Sequence, residues 1–455
     1  MMEYKNDPTN HWKEAIAAIY VAISVVGDLG TNAGFLCDIE LMLDYTSCRS
    51  QKILKSTVLW FLKEFNDQIP KQNAQVLLQK AVKFLAHESH VVRSYAAVFT
   101  DKQLMMKDTV QAPGVNQVAS SQRYDANSID LIAAEVISNL LKLPDLYDNP
   151  YLTKCMAQVL GIANIAGQTI RDTTALLAGI LNQVCNNSKN PEFNGYLFEA
   201  LAAVIGRANE QGPAPLCVFE GMLLPVLFRI LSEDISDLLP YGFMIFSQLI
   251  DLCQPPLSHE YMNLFDLLLS SATWEQPACA HACSCLLRAF LCKIKNDHDK
   301  LKIVLQKFCT LVLNVSTTYT AFAMLSLLVE QAGLDFLRLH ISDTWGVLFP
   351  RLWVLRQSRW EVKFAKSLIV AVSLFVTKYG SQEFVESIQE IDRRAERYFT
   401  TFLEHFWIRY LDSIEGARES KLAAVASTKL ICETNFLKED PHSWGKLLNS
   451  TVPLL

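Results

Sequence analysis

No stretch of this 455-residue chain reaches the run of about 20 apolar residues that a membrane-spanning helix requires. The longest, such as "LIVAVSLFV" (368–376), are far shorter. The N-terminal stretch "MMEYKNDPTNHWKEA" lacks the apolar core of a secretory leader. No block of five or six like charges occurs and the net charge is −6, so neither nucleic acid nor an anionic membrane is implied as the main partner. The twelve cysteines follow no small-domain spacing. Without a secretory leader they read as reduced thiols in the cytosol or nucleus. Period-two alternation is nearly absent, and no sheet is expected. Enzyme signatures are missing as well: no G-x-x-x-x-G-K-[ST], G-x-G-x-x-G, G-x-S-x-G or H-E-x-x-H is present. These absences point to a soluble intracellular chain that does not insert into membranes, carries no cofactor and is not an enzyme.

What remains is helix. Of the residues 51% are apolar and 19% charged, enough to bury a substantial core. By length alone the chain would form roughly three compact domains. In "NPEFNGYLFEALAAVIGRA" (190–208), Phe193, Tyr196, Leu197, Ala200, Leu201, Val204, Ile205 and Ala208 form one stripe at helical spacing. Asn190 is placed to cap it, and Pro191 at the first helical position loses no needed donor. Similar stripes predict about twenty helices joined by turns such as "QIPKQ" (68–72), "EQGPAP" (210–215), "CQPPLS" (253–258) and "IEGARES" (414–420). Paired, the helices recur about every 40–45 residues, the period of HEAT and armadillo repeats. One pair cannot cover its own apolar face, so neighbours stack. The expected fold is all-α: a right-handed α-solenoid of HEAT/armadillo-like helix pairs, about ten repeats long. The exception is 106–128, "MKDTVQAPGVNQVASSQRYDAN", which interrupts the helices. It reads as a long inter-repeat loop, with a mobile partner-contacting loop as the alternative. The expected division is therefore repeats over 1–110, an irregular loop or linker over 111–128, and repeats over 129–455.

Several segments together resemble the exportin-2 family of karyopherins, the receptors that re-export importin-α. They include "WKEAIAAIY" (12–20), "ILKSTVLWFLKEFNDQIP" (53–70), "VVRSYAA" (91–97), "FNGYLFEA" (193–200), "SEDISDLLPYGFMIFSQLI" (232–250), "FAKSLIVAVSLFVTKYG" (364–380) and "STKLICE" (427–433). Their shared order and spacing carry the resemblance. It implies stacked HEAT repeats, with 1–110 similar to the family's central region and 129–455 to its C-terminal domain. It also implies a receptor that binds importin-α together with GTP-loaded Ran, contacts nuclear pore proteins and shuttles between nucleus and cytoplasm. The GTPase chemistry would belong to Ran and its activator. The match covers the family's C-terminal half, and the N-terminal arch that carries the principal Ran contact in karyopherins has no counterpart here. The sequence is expected to be part of a longer receptor. Ile16 stands where the family tends to carry an acidic residue. The alternative function is a HEAT-repeat scaffold that binds other proteins without Ran control.

Two constellations invite chemistry. "CAHACSC" (279–285), with Cys292 beyond it, suggests a metal site. At about 100° per residue, however, Cys283 lies about 40° from Cys279, whereas His281, Cys285 and Cys292 lie near 200–240°. One helix cannot aim these ligands at one tetrahedral ion. Cys279 and Cys283 share a stripe with Leu286, Leu287, Phe290 and Ile294, as core residues would. No metal site is expected, and two faces tolerant of apolar side chains suit a helix packed on both sides. "RLWVLRQSRWEVKFAK" (351–366) sets five cations and one acid among two tryptophans. Solvated helix surface accounts for such a stretch; basic residues beside aromatics also hold acidic partner segments. Arg351, Arg356, Arg359, Lys363 and Lys366 are accordingly the candidate partner-binding residues, on charge clustering alone. "HESH" (87–90) falls between two helical stripes and reads as capping and solvation.

Overall fold

The stripe over 190–208 folds as its spacing predicts: the helix runs Pro191–Glu210, and the Asn190 side chain accepts the Phe193 N–H at 3.2 Å. Phe193, Leu197, Ala200, Leu201, Val204, Ile205 and Ala208 are buried, as expected. Tyr196 is only half-buried, and Phe198, outside the expected stripe, is buried and stacked on Tyr241 at 5.1 Å between ring centroids. Each such burial contributes about 1.5–3 kcal/mol, far more than helix propensity does. The coordinates are a computed structural model that describes residues 4, 6–7, 10–25, 33–44, 51–111, 118–140, 142–143, 149–210, 216–270, 272–392 and 398–454. The chain divides into two units, Met1–Leu252 and Cys253–Leu455.

The first unit comprises α1 (Trp12–Val25), α2 (Ala33–Asp44), α3 (Gln51–Glu64), α4 (Lys71–Phe84), α5 (His90–Leu104), α6 (Ala126–Leu140), α7 (Pro150–Ile162), α8 (Gln168–Val184), α9 (Pro191–Glu210), α10 (Leu216–Ser232) and α11 (Leu239–Leu252). Consecutive helices pair as α2 with α3, α4 with α5, α6 with α7, α8 with α9 and α10 with α11. The second member of each pair stacks on that of the next, so α1, α3, α5, α7, α9 and α11 form one row. This row is more closely packed than the row of first members.

The segment after α5 departs from expectation. Lys107–Gln111 (β1) and Val118–Gln122 (β2) pair antiparallel, with Lys107 opposite Gln122 and Gln111 opposite Val118. The expected irregular stretch therefore carries a hairpin, and the expectation of no sheet is corrected. Residues 112–117, at its tip, lie outside the described residues. Asp108 holds the two strands: its carboxylate accepts from Arg123 Nε at 2.9 Å and lies 3.3 Å from Lys71 Nζ. The hairpin interrupts neither row, and the boundary between the two units falls after Leu252.

The second unit repeats the scheme. It holds α12 (His259–Ser270), α13 (Pro277–Ile294), α14 (His298–Val312), α15 (Thr318–Gln331), α16 (Leu334–Leu355), α17 (Glu361–Tyr379), α18 (Ser381–Asp392) and α19 (Tyr398–Phe402). A π turn at Leu403–Trp407 leads to α20 (Ile408–Tyr410), then α21 (Ala417–Glu433), α22 (Asn435–Glu439) and α23 (Pro441–Thr451). The close row is α13, α15, α17, α21 and α23. Trp345 and Trp407 fill its core, each giving its indole N–H to a serine hydroxyl at 2.9 Å, Ser387 and Ser427 respectively.

The repeat period is written into the hydrogen bonds. Near the C-terminal end of one helix, a cation reaches back to a carbonyl at the C-terminal end of the preceding helix in the same row. In the first unit Lys102 donates to Lys63 O, Arg207 to Gly161 O and Arg229 to Asn182 O. In the second, Arg351 donates to Leu313 O, Lys378 to Val329 O and Lys429 to Thr377 O. The last carbonyls of a helix have no partner within it and carry its negative dipole end, so a neighbour's cation is a fitting cap. The partners are 38–52 residues apart, which brackets the expected period. The all-α HEAT-type repeat fold expected from the periodicity is the one that forms.

Candidate functional site

The basic stretch spans the end of α16, the turn after it and the start of α17, and one buried carboxylate shapes that turn. Gln357 adopts φ 66°, a left-handed conformation that costs a residue with a Cβ about 1 kcal/mol or more. Its N–H donates to Glu361 Oε2 in a short contact, and Tyr410 donates its hydroxyl to Glu361 Oε1 at 2.9 Å. Burial, together with the bond to Glu361, holds the Tyr410 hydroxyl above its ordinary pKa. Glu361 therefore ties the turn to α20.

Arg359, on the turn before α17, and Lys363 and Lys366, on the first turns of α17, border a groove of about 660 Å³. Tyr319, Phe322 and Ser326 of α15 line its other side, and Glu415 and Glu419, around the start of α21, close one end. Phe322 is buried and meets Phe364 edge-on at 5.2 Å, giving a rigid apolar floor. Lys366 Nζ lies 3.4 Å from Glu415 Oε1. The sharp turn before α21 depends on Gly416, with φ 95°; a Cβ there would collide with the Glu419 side chain. Residues of α15, α17 and α21, all helices of the close row, thus line the groove.

Three of the five candidate residues are thus brought together and two are not. Arg351 is half-buried and donates to Leu313 O at 2.7 Å, so it serves as a helix cap. Arg356 is exposed and sits over the Trp353 ring at 4.7 Å. Tyr319, Glu415 and Glu419 escaped sequence reasoning, because they lie in other repeats and no local pattern marks them.

The cysteine stretch lies on α13. Cys279 and Cys283 are buried, the Cys279 Sγ 3.5 Å from Gln276 Oε1 and the Cys283 Sγ 3.7 Å from Thr273 Oγ1. Burial pushes the Cys283 thiol up to about 12. Cys285 is half-buried, with His281 Nε2 3.6 Å from its Sγ, and Cys292 is exposed near Gln331. The second thiol face therefore meets solvent, which corrects the expectation of packing on both sides. Among the described residues no three His, Cys, Asp or Glu side chains converge as metal ligands. The 18-residue helix Pro277–Ile294 is apolar enough on average to span a membrane, yet half of it is buried within the protein. His87 and His90 sit at the α4–α5 connection: His87 Nδ1 accepts the Ser89 N–H and His87 O accepts from Arg93, the turn role expected of "HESH".

Comparison with known proteins supplies what geometry alone does not. Residues 102–455 match the family model described as CAS/CSE protein, C-terminus, and residues 1–100 the one described as Cse1. Exportin-2 of Pagrus major is 26% identical over 485 residues, covering 100% of this chain and 48% of that protein. Exportin-2 of Homo sapiens is 26% identical over 484 residues, with the same shares covered. Among solved structures, the exportin Cse1 in its cargo-free, cytoplasmic state aligns with a TM-score of 0.78 at 22% identity, covering 99% of this chain and 48% of that one. Kap121p aligns with a TM-score of 0.52 at 13% identity, over 94% of this chain and 44% of its own. These structural likenesses bear on the fold alone. The chain spans about half the length of the curated relatives it matches.

Proposed function

The chain belongs to the CAS/CSE family, and on that premise we propose that it works as part of an exportin-2-type nuclear export receptor. It binds importin-α together with GTP-loaded Ran in the nucleus and returns importin-α to the cytoplasm. The observation that carries this reading is the exportin-2 likeness, which runs along the whole chain at 26% identity. The fold supports it physically. Each repeat touches only its neighbours, so a long stack offers an extended binding face and bends at small cost per repeat. Two ligands that both favour one curvature then reinforce each other, and loss of one releases the other. Nothing in this scheme requires catalysis by the chain itself. Shuttling between nucleus and cytoplasm, and contact with nuclear pore proteins, follow from the same reading.

Within the chain, the partner contact we favour is the α15–α17 groove with Arg359, Lys363 and Lys366. Arg351 and Arg356 lie beside it as weaker candidates. The test is capture on immobilised importin-α of a receptor in which the N-terminal half of an exportin-2 precedes this chain, with Ran loaded with a non-hydrolysable GTP analogue or with GDP. Retention that rises with the GTP form is expected. No retention in either state overturns the proposal, and retention indifferent to Ran supports a HEAT-repeat scaffold without Ran control instead.

A further inference from the structure

We propose that the α15–α17 groove receives an extended acidic peptide segment bearing a bulky apolar side chain, and that Glu415 occupies part of that site until the peptide displaces it. This rests on the reading of the chain as a partner-binding solenoid and names the chemistry one part of it recognises. Lys363 and Lys366 succeed one another at a rise of about 4.5 Å along the axis of α17, and Arg359 precedes them on the turn that leads into it. Same-side residues of an extended peptide lie about 6.6 Å apart, so successive carboxylates fall within reach of successive cations. Between the cations and α15, Val362 is 42% exposed and Tyr319 is 68% exposed, beside the buried Phe322. That apolar strip takes the bulky side chain. Among the described residues, neither Arg359 nor Lys363 is paired with a carboxylate. Among the described residues Lys366 is paired only with Glu415, whose side chain is 92% exposed on the turn before α21.

Glu415 shows what the groove accepts. A carboxylate arrives there on an extended turn, between a lysine and an apolar wall, in a protein whose overall charge is −6. So exposed an ion pair contributes little stability and exchanges readily. A peptide presenting several carboxylates at once engages all three cations and outcompetes it.

The experiment uses the full chain and a short fluorescein-labelled peptide of alternating glutamate and phenylalanine, read by fluorescence anisotropy. Binding is expected that weakens with added NaCl and is absent for the counterpart with lysine in place of glutamate. Lys363→Glu or Arg359→Glu is expected to weaken binding about tenfold, the scale of one charge-assisted contact. Glu415→Gln is expected to tighten it about twofold or more, the scale of a surface ion pair removed from competition. Circular dichroism melting of each variant confirms an intact fold. Equal binding of the lysine peptide, indifference to salt, or no weakening in either cation variant overturns the proposal. Displacement by short single-stranded DNA as effective as by unlabelled acidic peptide also overturns it, in favour of phosphate recognition. Importin-α capture is scored separately: capture without peptide binding removes the groove's assignment and leaves the receptor reading, whereas peptide binding without capture does the reverse.

Discussion

Glu361 concentrates more of the site's geometry than any cation in it. Its two oxygens accept the Gln357 N–H and the Tyr410 hydroxyl, and the first of these holds a residue at φ 66°. Glu361→Ala leaves both donors without their partner and removes what holds the turn. The expected cost is about 2 kcal/mol or more, and a melting point lower by about 5 °C. Glu361→Gln keeps an acceptor oxygen and should lose less; equal losses in circular dichroism melting would contradict the assignment. The thiols of α13 supply a second expectation at this scale. Cys279 and Cys283 are buried away from reagents, and the Cys283 thiol, pushed up to about 12, offers no thiolate at neutral pH. Iodoacetamide labelling read by mass spectrometry should modify exposed Cys217, Cys292 and Cys432 in the folded protein, and Cys279 and Cys283 only after denaturation.

Elements were legible in proportion to their length. A helix such as α9 repeats its apolar spacing over several turns, so the stripe and its Asn190 cap were readable from residues alone. The hairpin was not, because strands of five residues offer barely two repeats of a period-two pattern. Its stability rests on a pair distant in sequence, Asp108 and Arg123. The hydrogen bond from Arg123, with help from Lys71, holds the Asp108 carboxyl below its usual value. A carboxylate with a lowered folded pKa contributes stability that is fully present above its unfolded value, about pH 4, and lost as pH falls through the folded value. Amide exchange at 107–111 and 118–122 should therefore lose protection, relative to α5, as pH falls below about 4. In Asp108→Asn this selective loss should already be present at neutral pH. A hairpin equally protected in the variant would show that the pair does not hold it.

At the scale of the whole chain, the period was legible and the groove only half so. Charge clustering singled out Arg359, Lys363 and Lys366, but Tyr319 and Glu415 stand about one repeat away on either side in the sequence, and only stacking brings them there. The same logic governs stability. Contacts run mainly between neighbouring repeats, the exposed ion pair of Arg418 with Glu330 reaching one further, and the carbonyl-capping bonds span one repeat period and no more, from Lys102–Lys63 to Lys429–Thr377. Such a chain has no long-range core to enforce a single all-or-none transition. The tryptophans make this measurable, because six of the eight, Trp274 to Trp444, lie in the unit Cys253–Leu455, whereas helix fills both units. In guanidinium titrations, tryptophan fluorescence reports mainly on that second unit and far-ultraviolet circular dichroism on the entire stack. The two midpoints should differ, and Lys378→Met, which removes the cap on Glu330 O and leaves Val329 O to the Tyr379 hydroxyl alone, should move the fluorescence midpoint more than the dichroism midpoint. Coincident transitions that shift together would mean that the repeats unfold as one body, and the compliance on which the proposed coupling between two ligands depends would be lost with it.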